Sequence, residues 1–249
     1  KLSSMLLLID HCHTLLQAYQ EGKLGYMKMP EDEHPDFTMM TREQRLSYFT
    51  LPMALNYQRN SYTLRESALK TYNDNETRDV FDIAICGQMS EEELRTKLLK
   101  YKVALQPNKH IQTRQNISKT IDQNRWGLVQ LFEAVEYDFL KLQQLIQRDY
   151  KSGFPYLSGP KIFHYRAMVI QEYGWIQLKN RKYIDIAPDT HITQCSVRLW
   201  VITQQESVSL SKEAISDRRR MLLDGSGIAP SDMHAPLRFW SRNGFQFEL

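Results

Sequence analysis

At 249 residues, 42% hydrophobic and 24% charged, the chain has the length and the ordinary globular balance to bury a proper core as one large or two small domains. Three widely spaced cysteines, Cys12, Cys86 and Cys195, argue against a disulfide framework, and the lack of any CxxC pair excludes a four-cysteine zinc or iron–sulfur site. A net charge of +3 permits a polyanionic partner without demanding one, and the longest apolar run, residues 5–9, is far short of the roughly 20 residues a membrane helix needs.

Apolar residues recur at helical spacing almost throughout and strict alternation is scarce, so the chain reads as all-α. Residues 2–20 predict an amphipathic helix, followed by a Gly-, Pro- and acid-rich loop over 22–36. Thr41 is a good N-cap for a helix to about Tyr57, which Pro52 is expected to kink or split. Another helix covers 61–72, and Ser90-Glu91-Glu92-Glu93 reads as a capping box opening a helix to about Tyr101. Helices are expected over 109–121 and 128–148, the second with an apolar stripe at Leu128, Leu131, Val135, Phe139, Leu142 and Leu145.

The segment 151–161, rich in Gly and Pro, interrupts the pattern before helical periodicity resumes over 162–173. Residues 174–187 hold the one stretch of extended character, a small hairpin or a loop. Pro188-Asp189-Thr190 starts a helix to about Ile202, and a further helix runs over 210–223 to a break at Asp224-Gly225-Ser226-Gly227. The last helix begins at Pro230-Ser231-Asp232 and stops at Asn243-Gly244.

Two features carry chemistry. Gly153, Pro155, Gly159 and Pro160 crowd a tight turn between helices and leave backbone amides at the second helix's N-terminus free for an anion, with Lys161 adding charge beside them. By itself this reads more readily as an ordinary αα-hairpin. Asp189 lies 28 residues beyond Lys161 at an expected helix N-cap, a position that needs no functional explanation when taken singly.

Together the segments Leu157-Ser158-Gly159-Pro160-Lys161, Pro188-Asp189-Thr190-His191 and Val197-Arg198-Leu199 resemble the helix-hairpin-helix DNA glycosylases, the HhH-GPD superfamily. An archaeal 8-oxoguanine branch has a similarly stretched spacing between hairpin and aspartate. The resemblance implies that the hairpin, through Ser158, Gly159 and Lys161, clamps a DNA phosphate, that Asp189 is the catalytic carboxylate, and that His191 lies at the DNA. The turn Leu55-Asn56-Tyr57-Gln58-Arg59-Asn60 is similar to the family's Gln-bearing turn, which fills the space of an extruded base. Lys161 has two roles open to it, amine nucleophile of an associated AP-lyase step or phosphate contact.

The fold so implied is two helical subdomains with a groove between them, one from 1–60 and 203–249, the other from 61–202 with its helix-hairpin-helix at about 138–173. The implied partner is duplex DNA containing a modified base, with no cofactor, no metal and no membrane association. The chain is expected to be an intracellular monomer of the cytoplasm or nucleoid, or of the nucleus in a eukaryote. A noncatalytic DNA-binding module that keeps only the hairpin, and an all-α protein-interaction domain, are the competing readings.

Four smaller expectations stand beside these. Tyr57, Trp126, Tyr165, Trp175 and Trp200 are candidates by type to sandwich a base, although most aromatics belong to a core. His164 flanks the expected site. Asp10-His11-Cys12-His13 invites a metal, yet neighbours on a helix point to different faces. Arg218-Arg219-Arg220 reads as a solvated face.

Overall fold

The computed structural model describes residues 2–26 and 28–249, without the side chains of 2–4, and it is all-α: no strand occurs among the described residues. In chain order the helices are α1 (Leu2–Gln20), α2 (Arg42–Leu55), α3 (Ser61–Asn73), α4 (Ile83–Gln88), α5 (Glu91–Lys100), α6 (Lys109–Gln123) and α7 (Leu128–Ala134). They continue as α8 (Phe139–Gln144), α9 (Pro160–Tyr173), α10 (Thr190–Arg198), α11 (Glu206–Ser209), α12 (Lys212–Leu223) and α13 (His234–Arg242). Among the described residues no helix is long and apolar enough to cross a membrane.

The chain divides into a middle unit, Met29–Lys179, and a terminal unit made of Lys1–Lys28 and Asn180–Leu249. The crossings therefore fall near 28 and 179, where the sequence placed them at 60 and 202. The reason is α2. Every residue from Arg45 to Leu55 is buried, so beyond its first turn this helix has no solvent face and sits as the axis of the middle unit, packed on α6, α7 and α9. Fully burying side chains such as Leu46, Leu51 and Leu55 contributes about 1.5–3 kcal/mol each, which ties the segment to that core. Pro52 does not split the helix, which runs unbroken through it. In the terminal unit α1 packs on α12 and α13, and α10 packs on α13.

Caps account for many helix starts. Thr41 Oγ1 accepts from the Gln44 amide at 3.2 Å while Gln44 returns a bond to the Thr41 amide at 2.8 Å. Ser90 keeps only half of the expected box: its hydroxyl accepts from the Glu93 amide, but the Glu93 carboxylate pairs with Lys97 at 3.0 Å. Charge hidden in the core had no sequence signal. Arg114 is fully buried because the open end of a 3-10 turn, Arg78–Phe81, supplies the Val80 and Phe81 carbonyls at 2.7–3.1 Å.

Two expected elements differ, and the stretch over 174–187 takes the loop of its two readings. The helix over 128–148 is broken into α7, α8 and a π-helical turn, Leu145–Asp149, because Glu136 and Tyr137 take left-handed backbone angles and Asp138 starts a new helix by accepting from the Leu140 and Lys141 amides. The extended stretch over 174–187 makes no sheet; one isolated bridge joins Lys179 to Asp138, and a 3-10 turn spans Arg181–Tyr183. α10 ends at Arg198 rather than near 202, where Trp200 turns left-handed with φ 61°.

Candidate functional site

The loop over 56–60 and the turn over 154–159 lie 100 residues apart in sequence, and the middle unit brings them into contact. The Tyr156 hydroxyl donates to the Asn56 carbonyl, and the Tyr57 and Tyr156 rings meet edge to face with centroids 5.5 Å apart. Tyr57 also carries the Lys109 ammonium at 3.9 Å from its ring centre, a cation–π contact. The stack Lys109, Tyr57, Tyr156 thus links the start of α6 to both loops.

The backbone is strained where these loops meet. Gln58, Lys102 and Tyr156 are all left-handed, with φ of 49°, 59° and 65°. A side chain in this region costs on the order of 1–3 kcal/mol, a cost that surrounding contacts must offset. Arg59 supplies part of that support, donating to the Val103 carbonyl at 2.6 Å and the Lys102 carbonyl at 3.0 Å, and Asn60 caps α3 by accepting from the Tyr62 and Thr63 amides. Arg59 and Asn60, both expected at the DNA, therefore hold the loop, while Gln58 is exposed and held by none of these bonds.

The turn leads directly into α9. Tyr156 follows Pro155, and the Gly159 amide donates back to the Tyr156 carbonyl at 3.0 Å. Gly159 is the N-cap residue of α9 without a capping side chain, and a Cβ there would come within 3.1 Å of the Tyr156 carbonyl oxygen. Pro160 has no amide to satisfy, so the first-turn amides of Lys161 and Ile162 are left without an intrahelical acceptor. Ser158 gives its carbonyl to Gln147 at 2.9 Å. The Lys161 side chain is exposed and pairs with no carboxylate among the described residues. Gly153, deeper in the same segment, is required by close approach: a Cβ would meet the Thr120 side chain at 2.5 Å.

The local field is positive. Arg59, Lys102, Lys109 and Lys161 converge on or flank the two loops, and His110 registers the effect: burial first, then Arg59 and Lys109, push its imidazole down to about 4. Its Nδ1 accepts from the Leu105 amide at 3.0 Å, as a neutral ring does. Exposed cations, amides without acceptors and an aromatic stack are a set suited to a phosphate backbone.

Asp189 lies in the terminal unit and is the N-cap of α10. Oδ1 accepts from the Ile192 amide at 3.0 Å, and Oδ2 pairs with an Arg238 guanidinium nitrogen at 2.7 Å. Burial pushes this half-buried carboxyl up, but the Ile192 amide and the Arg238 charge outweigh it and hold it below the usual carboxylate range. Arg238 is anchored in turn, its Nε donating to His234 Nε2 at 3.0 Å. Desolvation, with Arg238 adjacent, pushes the His234 imidazole down to about 3, so it is the neutral acceptor this bond requires. His191, expected at the DNA, bonds Ser241 Oγ through Nδ1 at 2.8 Å and so ties α10 to α13. Arg238 and His234 had one sequence signal, their i,i+4 spacing within a terminal helix.

The remaining candidates fall elsewhere. Among the described residues no three His, Cys, Asp or Glu side chains gather as a metal site would require. Cys12 is buried while Asp10 and His13 are exposed on other faces of α1, and burial pushes the Cys12 thiol up to about 12. The arginine run is not the solvated face expected: Arg219 is buried, bonding Ser196 Oγ and the Ile186 carbonyl, while Arg218 pairs with Glu206 and Arg220 with Asp185 and Asp217. Trp126 lines a cleft of about 620 Å³ in the middle unit with Glu43, Asp79, Asp82 and Asp122 and one cation, Arg78, a lining richer in carboxylates than in cations. Trp200 lines a second cleft, about 1030 Å³, in the terminal unit beside Trp240, Phe245 and Phe247. His164 packs against Phe139 and Phe163, and Trp175 lies over the Arg45 guanidinium. Compared with known proteins, the chain matches no protein-family model, no curated protein and no solved structure.

Proposed function

We propose that this chain is a DNA glycosylase that excises a damaged or modified base from duplex DNA, working as an intracellular monomer without a cofactor. The observation that carries the reading is the contact between the 56–60 loop and the 154–159 turn. The resemblance implied one task for these two segments, filling the vacated stack and gripping the backbone. Their meeting across 100 residues of sequence supports that common task. In this reading Gln58 enters the stack, Lys161 and the open first turn of α9 hold phosphate, and Lys109 adds charge at the rim.

Base loss breaks the C1′–N bond, and both electrons leave with the base, so positive character develops on the sugar. A carboxylate held ionised stabilises that charge; water then adds at C1′, and the proton it loses ends on the expelled base, which left with both bond electrons. Asp189 has the required state, since the Ile192 amide and Arg238 favour its anion. A carboxylate offers about four lone-pair positions, of which these two bonds take two.

The test is incubation with duplexes that each carry one modified base, scoring abasic sites after hot alkali and direct nicks without it. Alkali-dependent product that Asp189→Asn abolishes supports the reading; no product on any duplex overturns it. Direct nicking trapped by borohydride would make Lys161 the nucleophile, and its absence leaves Lys161 as a phosphate contact. One observation favours a second reading, a noncatalytic DNA-binding module: both Asp189 oxygens already serve the structure, one as helix cap and one as ion-pair partner. That reading expects salt-sensitive duplex binding with no excision.

A further inference from the structure

We infer that Arg238 is the positioning residue of Asp189, fixing the orientation and charge of its carboxylate through a relay that ends on His234. The inference rests on the glycosylase reading for its catalytic consequence, and on geometry for the rest. An aspartate that serves only as an N-cap needs one oxygen on one amide, and Ile192 supplies it at 3.0 Å. The second bond, Arg238 to Oδ2 at 2.7 Å, comes from α13, 49 residues away, and restricts rotation about the terminal carboxylate bond. Arg238 is itself fixed, because its Nε–H is spent on His234 Nε2. The guanidinium fork therefore presents one edge to the imidazole and one nitrogen to the carboxylate, a division that a lysine ammonium cannot reproduce from a single point.

The relay also sets charge. The titratable and charged groups around Asp189 are Arg238 and His234 from α13 and His191 and Cys195 from its own helix, with Arg219 of α12 reaching Ser196 behind them. His234 and Cys195 are held neutral, the first pushed down to about 3 and the second pushed up to about 12, both by burial. Arg238 is thus the permanent cation in direct contact with the carboxylate. Without it, burial of the carboxyl would be opposed chiefly by one amide bond.

The experiment follows the Asp189 side-chain carboxyl by carbon NMR through a pH titration, in wild type and in Arg238→Ala, Arg238→Lys and His234→Gln, beside the pH profile of excision. The expected midpoint lies below the usual aspartate range in wild type, rises in Arg238→Ala, and returns part of the way in Arg238→Lys. The acid limb of the excision profile moves with it, and kcat falls roughly ten- to a hundredfold with duplex KM unchanged, the size of loss that small misplacement of a reacting group produces. His234→Gln keeps an acceptor for the Arg238 Nε–H and is the control expected to stay near wild type; where Arg238→Ala weakens folding, Arg238→Lys reports on the contact through its partial shift, and an Arg238→Lys midpoint equal to wild type also overturns the inference. An Asp189 midpoint that is the same in wild type and Arg238→Ala overturns the inference. So does a kcat loss with an unmoved acid limb. If the midpoint rises as expected while wild type excises no base, the charge-setting contact stands and the glycosylase reading falls.

Discussion

The loop cluster of the middle unit and the Asp189 relay of the terminal unit satisfy their polar groups in opposite ways. Around Gln58, Tyr156 and Lys161 the backbone is strained, the cations are exposed, and first-turn amides of α9 lack acceptors. Around Asp189 each oxygen has a partner and the partner has its own anchor. Groups left open and strained at the surface cost folding energy, and contacts with a ligand can offset it; groups closed into a relay stabilise the fold whether or not a ligand binds. Substitution in the first region should therefore alter binding more than stability, and substitution in the second should alter stability and excision more than binding.

The largest expected effect breaks that comparison on the closed side. Asp189→Asn keeps a capping oxygen and loses the charge, and it is expected to lower single-turnover excision by a hundredfold or more, comparable to removing one transition-state stabilising group, with duplex affinity within about twofold of wild type. Quenched-flow kinetics beside fluorescence anisotropy separate the two quantities. Excision that survives the substitution would assign Asp189 to the fold alone.

Next in size is Gly153→Ala. The added Cβ would sit 2.5 Å from Thr120, and relieving such overlap in a packed segment costs about 1–3 kcal/mol, read as a lower urea midpoint. A double variant with Thr120→Ser should recover part of this loss, because Ser lacks the methyl that lies 2.6 Å from the new atom.

The pH dependence of Asp189 sharpens the contrast. Its folded carboxyl is held below the usual range, so the stability it contributes is present above the unfolded aspartate value and is lost as pH falls through the lower folded value. Asp189→Asn should therefore melt lower than wild type at neutral pH, by about 1 kcal/mol for a partly exposed ion pair, and the gap should close in acid. A gap independent of pH would mean the Arg238 contact carries no net stabilisation.

On the open side, Lys161→Gln and Lys109→Gln should each weaken duplex binding uniformly across sequences and lower the slope of log affinity against log salt by about 1; Lys161→Gln leaves melting unchanged, while Lys109→Gln also loses its cation–π contact with Tyr57, about 0.5–1 kcal/mol. The smallest effect has the opposite sign. Gln58→Gly relieves a left-handed angle and is expected to stabilise the protein by about 0.5 kcal/mol while reducing excision, since the side chain that enters the stack is gone. A Gly variant that loses stability would show that Gln58 packs rather than projects.

The amino-acid sequence by itself determined the helical class, the positions of α1, α3, α5, α6 and α9 to within a few residues, and the caps at Thr41, Ser90 and Asp189. These depend on local chemistry: periodic burial, and side-chain oxygens one turn from free amides. The break at 135–138 could not be read there, because the apolar stripe continues across it while the backbone is turned by pairing with Lys179, 41 residues on. For the same reason Arg219 looked like surface charge and the buried Arg114 carried no signal at all, since their acceptors are carbonyls and a hydroxyl brought in from other segments. In the candidate site the sequence offered Gln58, Lys161 and Asp189. Only tertiary structure decided that Tyr156 joins the first two segments and that Arg238 and His234 stand behind the third, because a hydrogen bond between distant residues leaves no periodic trace in the chain.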